Sequence, residues 1–119
     1  MRPPGWPASL EEPDHPEFEA AAVRWLLDLG PASWREQALI RERPVVLAFL
    51  ARHEVDGRLQ GARTAYSLAR QELAGEASAD VVAELLSVLE AEGAALLSLQ
   101  REVALVEEAL QGRRWRPRL

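Results

Sequence analysis

From Pro44 to Gln111 the apolar positions recur at steps of three and four almost without a break. In the first part of this stretch Val55, Leu59, Ala62, Tyr66, Ala69 and Leu73 step by 4, 3, 4, 3 and 4. Such spacing draws a narrow seam along one helix face, of the kind that pairs two helices in a coiled coil. In the second part Val81, Leu85, Val88, Leu89, Leu96, Leu99, Val103, Val106 and Leu110 mark one face in the same way. Between the two parts, Gly75 suits the left-handed conformation that ends a helix. Ser78 can cap the next helix by accepting from its first free N–H groups. Pro44 fits a first helical turn, where its missing N–H costs nothing. The pattern predicts an all-α fold built on a long antiparallel helical hairpin over 44–111, with arms of roughly 45–50 Å.

Ahead of the hairpin the pattern predicts two shorter N-terminal helices packed at one end of it. Asp14 stands at an N-cap position, with Pro16 early in the first turn and Glu17 at the capping-box position. Phe18, Ala22, Trp25, Leu26 and Leu29 then share a face, and Gly30-Pro31 ends the helix. Ser33 and Glu36 frame a second short helix carrying Trp34, Ala38, Leu39 and Ile40. The start of the first hairpin arm, with Val45, Val46, Phe49 and Leu50, has a wider apolar face than the remainder. The short helices, with Trp25 and Trp34, are therefore expected against residues 44–53 and the facing end of the second arm, around Val103–Leu110. Residues 1–13 hold Pro3, Pro4, Gly5, Pro7 and Pro13 around Trp6, which forbids a continuous helix. They are expected as an arm, either packed loosely through Trp6 or docked into a partner's groove. The chain thus divides into a proline-rich arm (1–13), one helical domain (14–112) and a basic tail (113–119).

At the end of the hairpin remote from the short helices, only two helices are left to cover the apolar side chains. Leu68, Leu73, Leu85, Leu86 and Leu89 are expected to stay partly in water there, and a second copy packed alongside would complete a four-helix bundle. The sequence therefore predicts a homodimer. Charge gives the arms a reason to dock in a set register. Residues 78–112 carry Arg101 against seven acidic residues, a net of −6, whereas residues 44–74 carry a net of +1. Arg52 and Gln100 look inward and are expected to fix the register of the two arms.

Composition narrows the function classes. Alanine and leucine supply 39 of the 119 residues, which favours helix throughout. There is no cysteine, so disulfides and thiolate metal sites are excluded. All fourteen basic residues are arginine, which reads as the codon bias of a GC-rich bacterial genome. No apolar run approaches the ~20 residues that span a bilayer, so no membrane contact is expected and the cytoplasm is the expected location.

Candidate chemistry is sparse. The tail Arg113-Arg114-Trp115-Arg116-Pro117-Arg118 carries +4, enough to neutralise phosphates while Trp115 stacks on a base. Yet the whole chain carries −5 with a pI near 5.1, the balance of a poor general nucleic-acid binder. An acidic protein partner, or a simple role closing the last helix, suits those arginines better. Glu12 and His15 have the spacing of a carboxylate–imidazole pair, but prolines break the backbone around them. His53-Glu54 begins like a zinc-protease motif, but Gly57 stands where the second histidine belongs, so no metal site is expected. His53 is expected as a hydrogen-bonded core histidine. Gly57, Gly61 and Gly93 interrupt helices, as close helix approach would require. No cofactor motif and no small-molecule substrate are evident. The sequence thus reads as a non-enzymatic helical interaction module, a homodimer presenting both tails to a protein partner. One alternative is a regulatory protein touching nucleic acid through the tail with Arg41 and Arg43. Another is a small enzyme or ligand binder with a pocket among Trp25, Trp34, Phe49 and His53.

Overall fold

The computed structural model describes residues 1–112, and the tail with Arg113, Arg114, Trp115, Arg116 and Arg118 lies outside them. The fold is all-α, with no strand among the described residues. Helix α1 spans Phe18–Leu27, a 3₁₀ helix spans Ala32–Glu36, and a single turn, α2, spans Ala38–Arg41. The hairpin follows as α3, Pro44–Glu72, and α4, Ala79–Leu110. Gly75 turns the chain with φ +81°, and the Ser78 hydroxyl accepts from the Val81 N–H at 3.2 Å. Both are the roles the sequence assigns them.

The α3 seam is as expected: Val55, Leu59 and Ala69 are buried, and Ala62, Tyr66 and Leu73 are half-buried. Three polar rungs fix its antiparallel register. Arg52 Nε donates to Glu107 Oε1 at 2.9 Å, Gln100 Nε2 to Asp56 Oδ1 at 2.8 Å, and Tyr66 Oη to Glu90 Oε1 at 3.2 Å. Arg52 and Gln100 thus bridge the arms, each through a carboxylate on the other helix.

On α4 the buried line runs through Val82, Leu86, Leu96 and Val103, with Leu89, Gly93 and Gln100 completing its steps of four and three. This corrects the expected seam at the free end, where Val81 and Val88 point outward. The main core forms at the other end, where α1 lies across both arms. Phe18, Ala22, Leu26 and Leu27 close there on Leu47, Ala48, Ala51, Val55, Val103 and Val106.

Several local expectations change. Helix α1 begins at Phe18, not at Asp14, and the group that caps its approach is the His15 ring, whose Nδ1 accepts from the Glu17 N–H at 3.0 Å. The segment capped by Ser33 in the sequence reading is a 3₁₀ helix with no side-chain cap, closed by the Trp34 N–H to the Pro31 carbonyl. The broad face of early α3 is rotated: Leu47, Ala48 and Ala51 are buried, whereas Val45 and Phe49 are exposed. The proline-rich arm is part of the core. Trp6 is only 8% exposed, its ring lies 5.6 Å from that of Phe18, and its Nε1 donates to the Glu11 carbonyl. Leu10 is buried beside it, so the arm is neither a loose leader nor free to enter a partner's groove. Prolines serve here because Pro3, Pro7 and Pro13 are themselves buried and bring no N–H that would need a partner.

Candidate interaction surface

The free end of the hairpin is held by a second, small cluster of Ala69, Val82 and Leu86, with Tyr66, Leu73, Ala77 and Leu85 around it. Leu86 is 6% exposed and belongs to this seam, which withdraws it from the expected docking surface. Leu73, Leu85 and Leu89 are half-buried, and Leu68 is exposed. The sequence-predicted set therefore splits into one buried residue, two half-buried seam residues (Leu73 and Leu89), one at the seam's edge (Leu85) and one that faces out (Leu68).

Two residues join Leu68 that the sequence reading had turned inward. Val81 and Val88 are 54% and 58% exposed. With Leu85 they step by four and three along one side of α4, and the same line continues through Glu92, Ala95 and Leu99 towards Val106 and Leu110. At the end where α1 packs on both arms Val106 is fully buried, whereas at the free end Val81 and Val88 are exposed. The bare part borders a groove of about 380 Å³ between the arms, lined by Gly61, Thr64, Ala65, Leu68, Glu72 and Leu85 among others. One apolar stripe thus has two fates, sealed at the base and open at the free end.

Exposed Arg63 and Arg70 on α3 line grooves other than the one at Leu68, and the tip beyond them is acidic. From Gln71 to Gln100 there is no basic residue, while Glu72, Glu76, Asp80, Glu84, Glu90 and Glu92 are all exposed. At the base, Arg41 and Arg43 are exposed, and Pro44 shares a surface cleft with Ala109 and Leu110. The arginine-rich residues 113–118 follow directly on the base of the hairpin.

The other sequence candidates do not converge. His53 is exposed and stacks edge-on against Phe49 at 4.7 Å, with the Arg52 guanidinium 5.6 Å from the same ring. This corrects the expected core histidine. It also opens the suggested pocket, because Phe49 is 49% exposed and turns away from the core on which Trp25 and Trp34 pack. The imidazole of His15 lies 3.8 Å from Glu11 at the surface. Among the described residues no group of three or more His, Asp or Glu is placed to hold a metal ion, and no helix is long and apolar enough to cross a membrane. Burial raises the Glu102 carboxyl from its ordinary value, beside the arm at Gly5, Trp6 and Ala8. Gly57, Gly61 and Gly93 do not mark close helix approach, since a methyl group at any of them would meet nothing within 4 Å.

No protein-family model matches this chain, and neither a curated protein nor a solved structure matches it.

Proposed function

We propose that this protein is a non-enzymatic helical interaction module that associates with itself through the free end of its hairpin. The observation that supports this most is the split stripe on α4. The same line of side chains is buried at Val106, at the end where α1 packs, and exposed at Val81 and Val88, with Leu68 and Leu85 beside it. An apolar strip continuous with a packed core face, but left in water, is a surface shaped for another chain. A non-enzymatic reading fits the scattering of the titratable groups, because both histidines lie at the surface, His15 in the bend before α1 and His53 on α3.

Solution mass tests the reading. Light scattering on a sizing column, across a dilution series, should give a species heavier than one chain that dissociates on dilution. Leu68→Glu/Val88→Glu should be monomeric and as helical as wild type, since both side chains already face water. A wild type that remains monomeric at high concentration would overturn the proposal.

A further inference from the structure

Charge decides which part of a second copy can cover the open stripe. On its open side the free end carries Glu72, Glu84 and Glu92, with Glu72 lining the groove itself, while its exposed arginines, Arg63 and Arg70, line other grooves of the hairpin. Two open sides face to face would set carboxylate against carboxylate, which is destabilising at close range. The opposite end supplies what this surface lacks. Arg113, Arg114, Arg116 and Arg118 surround Trp115, combining cations with one large apolar ring.

The same chain cannot bring the two together. Val88 lies 24 residues before Gly112 on α4, about 36 Å along the axis. Arg118 lies six residues beyond Gly112, at most ~20 Å away with the backbone fully extended. Contact of Trp115 with Val88, and of these arginines with Glu84, has to be intermolecular.

We propose that the open face takes the segment Arg113–Arg118 of a second copy of this chain. Trp115 covers the apolar floor at Leu68, Leu85 and Val88, and the arginines meet the carboxylates of Glu72, Glu84 and Glu92. On α4, Glu84 falls between Val81 and Val88, and Glu92 one turn beyond Val88, so the acids edge the apolar stripe. This assignment rests on the self-association proposed above and names the segment responsible for it.

Charge exchange on the full chain tests it. One variant carries Arg113, Arg114, Arg116 and Arg118 as Glu; a second carries Glu72, Glu84 and Glu92 as Arg. Each alone should associate about tenfold or more weakly than wild type, from several exposed pairs of a few tenths of a kcal/mol each. An equimolar mixture of the two should recover the mass that each has lost, because every reversed tail then finds a reversed face. A labelled peptide of residues 110–119 provides an independent measurement. Its anisotropy should rise with wild-type protein, fall back with added salt, and stay low with Val88→Glu. A tail-reversed variant that associates as tightly as wild type, or a scrambled peptide that binds equally well, would overturn the tail assignment and leave self-association standing. A wild type that never associates would remove both.

Discussion

The glycine at position 93 offers the sharpest test of how the two hairpin arms pack. Gly93 sits in the middle of α4, in the seam line between Leu89 and Leu96, opposite Ala62 and Tyr66. A seam glycine is ordinarily kept because the facing backbone comes too close for a side chain. Here a Cβ added at position 93 meets nothing within 4 Å, and the backbone is not in the left-handed region. Gly93→Ala should therefore bring the helix-propensity gain of about 1 kcal/mol with no clash to subtract from it. For a chain of this length the entropy of unfolding is about 0.25 kcal/mol/K, so the melting temperature should rise by about 4 °C. Far-UV circular dichroism with heat and with urea measures it, the urea series showing whether the slope with denaturant is unchanged. A drop in melting temperature would refute the reasoning, for it would mean that α3 and α4 approach more closely at this level than the structure shows. Gly75→Ala is the built-in contrast: its φ of +81° should make the same methyl group cost about 1 kcal/mol or more.

Trp6→Ala should destabilise the fold by about 3 kcal/mol, as loss of a buried aromatic does, whereas a loosely packed leader would give a change within ~0.5 kcal/mol; urea unfolding separates the two. A double-mutant cycle on Arg52 and Glu107 should return a coupling of about 0.5–1 kcal/mol, since the pair is hydrogen-bonded at 2.9 Å but open to water on the arginine side. Glu102→Gln should stabilise the protein at neutral pH. Burial raises the folded carboxyl above its ordinary value, so the native state holds that proton more tightly than the unfolded chain does. The resulting stability is present below the ordinary carboxylate range and is lost as pH rises through the folded value. The advantage of the glutamine variant, followed by urea unfolding, should therefore shrink on acidification.

The hairpin was legible because its signals agree with one another: a narrow 4–3 seam on α3, Pro44 to start it, Gly75 to end it and Ser78 to begin α4. The phase of α4 was not. Two lines of apolar residues run side by side there, one through Val82, Leu86 and Leu89 and one through Val81, Leu85 and Val88. The first faces α3, yet Gly93 and Gln100 interrupt it with residues that do not read as apolar. Its partner helix held the decisive signal, because Ala69 and Leu73 reach across to the level of Val82 and Leu86. The arm was misread for a different reason. Proline marks extended backbone whether the segment floats or packs, and only the contacts of Trp6 and Leu10 with the core distinguish the two. Phe49 and His53 show the same limit, since a stripe broad enough to face either way does not state which half is buried.

Two separate apolar clusters grip the hairpin, and the side chains between them are thin: Ala62 on α3 and Gly93 on α4. The inner cluster draws on α1 and the arm, while the outer one has only the two long helices. Local opening should follow that division. The outer turns can separate at a fraction of the free energy needed to unfold the base, as a unit of their own. Backbone amides near Leu68 and Leu85 would exchange with solvent before those near Val55 and Val103. Anything that covers the outer turns then contributes to their folding as well as to its own binding, so order at that end would rise with the protein's concentration.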